Sequence, residues 1–375
     1  MTGNERQIRP GELTAPQALA APPPQAADHI WEGSLACPEC AVALKQDQDR
    51  LFCPGCHRQW PIVGGIPTFV DQFPYWGEIS LEPMLKVNFQ IQWEYWKTVL
   101  LNSDDPSVRE ASKMILNLDR ANWHWLTDLS PESRVLDLGA GMGTNSHALA
   151  GRFREVFALE PVRERVEFMK QRFAQDGINN VKILRTSLWD IPFAPNSFDL
   201  VVLNGVLEWV ATGREGDPKA LQLTALKRSF ELLRPGGYLY VGIENRMPWQ
   251  YFIGAPDVHC GLPYVTVLPR PLAHWYARRR GHPEGYRNYI YSIRGYRKLL
   301  AAAGFSDIQF YLAIPSYNAP RFYLPLKENV FTYYAKNFDP VRSGFPGKAA
   351  HWVFARLRLL KYSQNSFAIL AKRET

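Results

Sequence analysis

The segment from residue 134 to residue 153 most constrains the fold of this 375-residue chain. It reads RVLDL, then GAGMG, then TNSHALAGRF, which is a short apolar strand, a glycine turn and a helix. Gly139, Gly141 and Gly143 let the backbone turn tightly and approach a ligand that a Cβ atom would exclude. The segment therefore predicts a βα nucleotide-binding unit within a doubly wound α/β fold.

The spacing of these glycines discriminates between nucleotide ligands. The pyrophosphate-binding turn of a dinucleotide fold reads G-x-G-x-x-G, whereas this turn reads G-x-G-x-G and follows Asp137. A carboxylate there suits the ammonium group of a methionine moiety and would repel a pyrophosphate. The next strand, EVFALE, ends in Glu160, where a carboxylate can accept hydrogen bonds from both ribose hydroxyls. We therefore predict an adenosyl ligand, and the glycine spacing disfavours a dehydrogenase or another dinucleotide binder.

Residues 134 to 243 resemble class I methyltransferases of the small-molecule type, which use S-adenosyl-L-methionine. The resemblance rests on DLGAGMG, Glu160, IPF, SFDLVV and LLRPGGYLYV, and it extends to YRKLLAAAGF and SFAILAKR. It implies a seven-stranded, Rossmann-like sheet closed by an antiparallel strand. By position, it places the three glycines beside the methionine part, Glu160 beside the ribose, and Ser187 with Leu188 beside the adenine. The family usually has Asp where Ser187 stands, and here Asp190 follows three residues later.

Four of the five cysteines form two pairs near the N-terminus, Cys37 with Cys40 and Cys53 with Cys56. Two such knuckles can bring four thiolates around one Zn²⁺, and a site closed by four sulfurs is structural. A redox pair or a disulfide is the alternative. Residues 35 to 70 also resemble the small zinc ribbon of tRNA-methyltransferase activator proteins. A ribbon of this kind can contact RNA, dock a partner or only stabilise the enzyme.

The changes in composition along the chain suggest four segments. We predict a disordered tail over residues 1–28, a zinc ribbon over 29–72, a helical linker or lid over 73–130, and a methyltransferase domain over 131–375. Two stretches of that domain read as substrate-side insertions, at about 244–290 and 313–364. The helical segment contains four tryptophans, Trp93, Trp96, Trp123 and Trp125. We expect them to pack in the core, and a ligand-facing role is the alternative.

The net charge of +7 is concentrated in one stretch, because Arg270 to Lys298 contains eight basic residues and only one acid, Glu284. A basic surface favours an anionic partner, such as a phosphorylated small molecule, RNA or a membrane surface. The alternative is that these basic residues belong to a solvated loop without an anionic partner.

The chain has no apolar run of the roughly 18 residues that a membrane span requires, and we predict a cytoplasmic protein.

The reacting groups of a doubly wound sheet gather beyond the carboxyl ends of its strands. Asn204 and Glu208 follow the fourth strand, and Glu244 follows the fifth, so we place Asn204 beside the cofactor and expect these side chains near the transferred methyl. Glu208, Glu244 and His259 are the candidate bases, which a hydroxyl acceptor would need. The long loop after strand five supplies our candidate acceptor residues, namely Tyr251, Asp257, Arg278, Arg279, Arg280, Arg287 and Tyr289.

The sequence of that loop, from IENR to YSIRGY, resembles methyltransferases of bacterial surface saccharides and specialised metabolites. We therefore expect methyl transfer to a small-molecule or saccharide acceptor, with arginines that hold a phosphate. Methylation of rRNA or tRNA is the first alternative, in which the ribbon and the arginines bind the backbone. A non-catalytic binding protein is the second. The sequence does not specify the acceptor atom, the oligomeric state or the role of Cys260.

Overall fold

The computed structural model describes residue 31 and residues 33–73, 79–327, 329–330, 333–334, 356 and 359–374. The predicted disordered tail, residues 1–28, lies outside this part of the chain. Within it, no helix is long and apolar enough to cross a membrane.

The cysteine-rich segment forms a small antiparallel sheet. Its strands are β1 (Lys45–Asp47), β2 (Arg50–Phe52), β3 (Gln59–Val63) and β4 (Ile66–Pro67), and they pair in that order. Leu44 and Leu51 are buried there and belong to the same hydrophobic cluster as the core of the main sheet. The small sheet is therefore docked on the larger domain.

A helical segment follows and packs against the main domain. It contains α1 (Leu81–Ile91), α2 (Trp96–Leu101), α3 (Pro106–Ile115) and a 3-10 helix (Leu118–Leu126). The Asp105 side chain starts α3 by accepting hydrogen bonds from the backbone N–H groups of residues 107 and 108, and Pro106 occupies the first helical position. Trp96 and Trp123 are buried, whereas Trp93 and Trp125 are 79% and 69% exposed. None of the four is among the described residues that line the large cavity below.

The main domain is built on an eight-stranded sheet. Its strands are β5 (Arg134–Leu138), β6 (Glu155–Leu159), β7 (Val181–Leu184), β8 (Phe198–Asn204), β9 (Leu233–Glu244), β10 (Ser306–Ile314), β11 (Phe322–Pro325) and β12 (Ser366–Lys372). Their order is β11-β10-β12-β9-β8-β5-β6-β7. Strands β5 to β9 are parallel, and β12 lies antiparallel between β9 and β10. This confirms the doubly wound α/β sheet with its closing strand.

The predicted count of seven strands is one too few. The extra strand is β11, which pairs antiparallel with β10 at the edge of the sheet. The prediction placed its sequence, FYLP, inside the second insertion, because four residues next to prolines carry no strand periodicity of their own.

The helices of the main domain connect these strands. They are α4 (Thr144–Ala150), α5 (Arg163–Gln175), α6 (Pro218–Leu232), α7 (Trp249–Phe252), α8 (Arg270–Arg279) and α9 (Ile293–Ala302). The long connection between β9 and α9 contains α7 and α8. Because β5, β6, β8 and β9 are parallel, their carboxyl ends meet at one edge of the sheet, and this connection begins at that edge.

The small sheet extends the main sheet at its β7 side. Thr68 forms a parallel bridge with Arg185, directly after β7, and the Phe69 N–H donates to the Arg185 carbonyl at 2.8 Å. The Ala36 N–H donates to the carbonyl of Pro192 at 2.9 Å. The cysteine-rich unit is therefore held by backbone hydrogen bonds to the loop that follows β7.

Candidate active site

A cavity of about 1040 Å³ lies at the carboxyl ends of β5, β6, β8 and β9. The glycine turn and Glu160 line one part, and Glu208, Glu244 and His259 line another. Ala111, Met114 and Arg120 from the helical segment also contribute to the wall. One continuous space therefore joins the predicted cofactor residues to the predicted bases.

The glycine turn has the backbone that the sequence predicts. Gly141 has φ +59°, a left-handed conformation that side-chain-bearing residues rarely adopt, and a Cβ built on it meets nothing within 4 Å, so the requirement for glycine there comes from the backbone. Gly143 has φ +74°, and a Cβ there would lie 2.7 Å from Phe173. Gly139 and Gly141 line the cavity, whereas Gly143 is not among its described lining residues. Gly143 thus serves close packing against α5.

Asp137 lies beneath this turn rather than in the cavity wall. Its side chain is buried and accepts a hydrogen bond from the Ser146 hydroxyl at 2.6 Å. Burial raises the pKa of Asp137 to about 6, against the opposing effect of the Ser146 hydrogen bond. The structure therefore brings Asp137 to the turn without direct access to the described cavity.

Glu160 is held at the end of β6 by two backbone donors. One carboxylate oxygen accepts from the Gly141 N–H at 2.8 Å, and the other accepts from the Val162 N–H at 3.1 Å. The side chain is 2% exposed and lies 3.8 Å from the Arg165 guanidinium. These contacts orient the carboxylate at the cavity wall, which fits the ribose-binding role that the sequence predicts.

Replacing Glu160 by Ala is expected to weaken S-adenosylmethionine binding by about 5- to 150-fold, which corresponds to the roughly 1–3 kcal/mol of hydrogen bonds to a charged group. Isothermal titration calorimetry measures the change. Glu110→Ala is the matched control, because Glu110 is 73% exposed on α3. Equal affinities of the parent and Glu160→Ala would contradict the ribose assignment.

Ser187 and Leu188 line the cavity after β7, as predicted for the adenine. The Ser187 hydroxyl donates to the Asp190 carboxylate at 2.6 Å and accepts from the Trp189 N–H at 3.1 Å. Asp190 is not among the described lining residues, so its carboxylate orients Ser187 from behind. The adenine assignment of Ser187 and Leu188 stays a prediction.

Asn204, at the end of β8, is paired with a residue that the sequence did not single out. Its side-chain oxygen accepts two hydrogen bonds from the Arg120 guanidinium, at 2.6 and 2.8 Å. Both residues line the cavity. Arg120 comes from the 3-10 helix, 84 positions away, and no local pattern marks it. The pair places a positive charge beside the predicted cofactor residues.

The three predicted bases meet in one group. Together with Asp257 they form what we call the carboxylate–histidine cluster, defined as Glu208, Glu244, Asp257 and His259. The His259 Nε2 lies 3.8 Å from the Glu208 carboxylate and 3.6 Å from that of Glu244. Its Nδ1 lies 3.5 Å from Asp257. One imidazole is thus surrounded by three carboxylates.

The cluster is largely shielded from water. The side chains of Glu208, Asp257 and His259 are 1%, 0% and 4% exposed, and that of Glu244 is 15% exposed. Burial raises the pKa of Glu208, against the lowering effect of His259. Burial alone would lower the pKa of His259, but the neighbouring carboxylates, Asp257 first, raise it well above its usual value. The group is therefore strongly coupled electrostatically.

Asp257 has a different position from the one predicted for it. It is not among the described residues that line the cavity, and it lies behind His259. One of its oxygens accepts from the backbone N–H groups of His259 and Cys260, at 3.0 and 2.9 Å. Cys260 lies beside it, and burial raises the pKa of its thiol to about 12. Asp257 therefore positions His259 instead of facing an acceptor.

Two tyrosines complete this part of the cavity. Tyr251, which the sequence predicted, is buried and lines the wall. Tyr317, which the sequence did not single out, donates its hydroxyl hydrogen to the Glu244 carboxylate at 2.9 Å. Tyr317 arrives from the connection after β10, so its proximity to Glu244 depends on the tertiary fold.

The remaining predicted acceptor residues lie elsewhere. Arg278, Arg279 and Arg280 are exposed at the end of α8. The Arg287 guanidinium donates to the carbonyls of Ala211, Arg214 and Gly216. The guanidinium of Arg270 lies 4.0 Å above the Tyr289 ring. None of these predicted residues is among the described lining of the cavity. The arginines at the end of α8 face solvent, and Arg287 is engaged by the backbone carbonyls of the loop before α6.

The four paired cysteines converge at a second site. The sulfurs of Cys37 and Cys56 are 3.6 Å apart, and those of Cys40 and Cys53 are 3.4 Å apart. All four sulfurs lie within 4.8 Å of one another. A tetrahedral zinc site with Zn–S bonds of about 2.3 Å has S–S edges of about 3.8 Å. The arrangement fits a zinc ribbon.

Comparison with known proteins identifies the class of the main domain. Residues 136–241 match the methyltransferase domain family. Together with the order of the strands, this confirms that the chain carries a class I methyltransferase domain of the type that uses S-adenosylmethionine.

Three curated relatives illustrate the range of this similarity. A demethylmenaquinone methyltransferase from Clavibacter sepedonicus is 32% identical over 29% of this chain and 40% of its own. A ubiquinone biosynthesis O-methyltransferase from Xanthomonas campestris is 30% identical over 39% of this chain and 61% of its own. A tRNA 5-carboxymethoxyuridine methyltransferase from Escherichia coli K12 is 29% identical over 34% of this chain and 46% of its own. The chain therefore spans between 40% and 61% of the length of these relatives.

Proposed function

We propose that this protein transfers the methyl group of S-adenosylmethionine to a hydroxyl of a small-molecule or saccharide acceptor. The observation that carries the proposal is the single cavity that joins Gly141 and Glu160 to the carboxylate–histidine cluster. Its volume of about 1040 Å³ lies just above the roughly 300–1,000 Å³ typical of pockets for a single ligand. This is consistent with a cofactor and an acceptor enclosed together.

The residues of the cavity divide the work. Bound S-adenosylmethionine supplies an electrophilic methyl group on a sulfonium. Glu160 orients the ribose, and the turn at Gly139 and Gly141 allows the close approach of the methionine part. The buried cluster aligns an acceptor hydroxyl and favours loss of its proton, while the enclosing wall excludes water that would compete for the methyl group.

The acceptor part of the cavity is lined by residues other than the predicted arginines. The arginines at 278–280 and 287 lie outside the described lining, so they offer no phosphate site there. Trp209, Tyr251 and Tyr317 line the acceptor part and provide apolar faces beside the carboxylates. Aromatic faces combined with hydrogen-bonding carboxylates suit a hydroxylated ring or sugar.

We further propose that Cys37, Cys40, Cys53 and Cys56 bind a structural Zn²⁺. Four sulfur ligands leave no open coordination position, so the ion has no catalytic part. Cysteine pairs that bind zinc rather than form disulfides are typical of a reducing compartment, which is our reason for proposing a cytoplasmic protein.

The decisive experiment measures transfer of labelled methyl from S-adenosylmethionine into an extract of the source cells, divided into RNA, glycan and small-molecule fractions. We expect label in the glycan or small-molecule fraction. Label in RNA would replace our proposal with RNA methylation. Failure to bind the cofactor would favour a non-catalytic binding protein.

A further inference from the structure

The side chains of Glu208, Glu244 and His259 are arranged as a set of ligands around one point. One potential ligand atom from each lies within 4.8 Å of the others. An octahedral ion with bonds of about 2.1 Å has ligand atoms about 3 Å apart at adjacent positions and about 4.2 Å apart at opposite ones. The distances of 3.6 and 3.8 Å from His259 Nε2 to the carboxylates are longer than the adjacent spacing, so these side chains would move inward by about 0.6 to 0.8 Å to coordinate one ion.

Three carboxylate oxygens of the carboxylate–histidine cluster lack hydrogen-bond partners. Glu208 Oε2, Glu244 Oε2 and Asp257 Oδ2 are buried and have no hydrogen-bond partner among the described residues. The Glu208 side chain is 1% exposed and lines the cavity. Burying an unpaired carboxylate oxygen costs free energy unless an ion or a donor compensates it. The pocket thus presents unsatisfied negative charge to whatever occupies it.

Asp257 gives His259 the orientation of a metal ligand. One of its carboxylate oxygens lies 3.5 Å from Nδ1, and its side chain is 0% exposed; at this distance Nδ1 has no hydrogen-bond partner among the described residues, so the ring would shift slightly to donate to Asp257. A metal-binding histidine commonly donates its other ring N–H to a carboxylate, which fixes the ring and directs the free nitrogen at the ion. Here that free nitrogen is Nε2, which faces Glu208 and Glu244.

The charge balance of the cluster also favours a bound cation. It contains three carboxylates and one imidazole, and among the ion pairs of the described residues none joins these carboxylates to Lys or Arg. Even a protonated His259 would leave a net negative charge in a nearly dry site. A divalent cation would compensate it.

We propose that Glu208, Glu244 and His259 bind one divalent cation in the cavity wall. Two carboxylates and one imidazole suit an ion of the Mn²⁺ type, since carboxylates favour Mg²⁺ and Mn²⁺ and imidazole favours the transition metals. Three protein ligands leave positions open for an acceptor with two adjacent oxygens, such as a vicinal diol or a catechol.

The role of the ion rests on the proposed function. Coordination lowers the pKa of an acceptor hydroxyl, whose proton leaves to bulk water. The oxygen then forms a bond to the methyl carbon as the carbon–sulfur bond breaks, and the electron pair stays on sulfur as a thioether. The cation remains in place, and no oxidant or reductant is required.

Electron paramagnetic resonance of free Mn²⁺ tests the site without an activity assay. Titration of the zinc-loaded full chain should show one bound Mn²⁺ per chain, since the thiolates of the ribbon are poor ligands for this ion. Glu208→Gln and His259→Ala should each weaken binding at least tenfold. Asp257→Asn should weaken it by roughly 10- to 100-fold, as for other residues that orient a ligand. Glu110→Gln, far out on the α3 surface, should leave it unchanged.

The outcomes separate this proposal from the proposed function. Absence of Mn²⁺ binding up to millimolar concentration, or equal binding by the parent and Glu208→Gln, would overturn the metal site and leave an imidazolium between carboxylates in its place. Glu244→Gln, which keeps the shape of the side chain, repeats the test if another variant fails to fold.

Calorimetric titration with S-adenosylhomocysteine, the stable product of S-adenosylmethionine, measures cofactor binding separately from metal binding. Mn²⁺ that stimulates methyl transfer in the parent but not in Glu208→Gln supports the acceptor role, and transfer that is independent of Mn²⁺ contradicts it.

Discussion

Glu208→Gln is expected to lower kcat for methyl transfer by about 10²- to 10⁴-fold, the range typical of losing a group that assists proton removal. The substitution preserves the shape of a side chain that is 1% exposed and removes its charge, 3.8 Å from His259 Nε2. Because Glu160 and the glycine turn are unchanged, the affinity for S-adenosylmethionine should stay within about twofold. The rate is measured as label entering the fraction that the parent methylates.

The comparison with an exposed glutamate makes this result specific. Glu110→Gln makes the same chemical change on the α3 surface and should retain the parent rate. A Glu208→Gln protein that binds the cofactor normally and turns over at the parent rate would show that the cluster does not take part in the reaction.

Cys53→Ser is expected to abolish stoichiometric zinc binding and to lower the melting temperature of the whole chain. The Cys53 side chain is buried in the hydrophobic cluster that the ribbon shares with the main sheet. Structural zinc in small domains contributes an apparent binding free energy of about 10–16 kcal/mol, so loss of one ligand leaves the fold of the ribbon without its main support. Metal analysis by mass spectrometry and calorimetric melting provide the two readouts.

Cys260 offers a control within the same chain. It lies beside Asp257, outside the ribbon, so Cys260→Ser should keep the zinc content of the parent. Unchanged zinc in Cys53→Ser, or a parent protein that contains no zinc after expression with the metal, would contradict the ribbon assignment.

The sequence could predict those parts of the site that local patterns determine. Gly141 and Glu160 follow consecutive strands of a βα unit, and the spacing alone predicts that they meet. The bases after β8 and β9 could be predicted for a related reason, since parallel strands end at one edge of the sheet. His259 belongs to a loop; the sequence marked it as a candidate base, but no spacing predicted that it would lie beside Glu208 and Glu244.

Other parts depend on contacts between distant segments. Arg120 reaches Asn204 from the helical segment, and Tyr317 reaches Glu244 from the connection after β10. No spacing in the sequence encodes either pair. The cluster of basic residues between 270 and 298 led to the expectation that its arginines line the acceptor site. Proximity in sequence, however, does not make side chains face one cavity. Arg278 to Arg280 are exposed on the last turn of α8 and the residue after it.

The bridge between Thr68 and Arg185 gives the ribbon a second consequence. The main sheet ends on this side at β7, and an uncovered edge strand presents unpaired N–H and C=O groups to other chains. The segment around β4 occupies the continuation of that edge, and the backbone of Phe69 pairs with that of Arg185. The ribbon thereby covers the end of this edge, at the residue directly after β7. We expect loss of zinc to uncover this end of the edge and to favour self-association there.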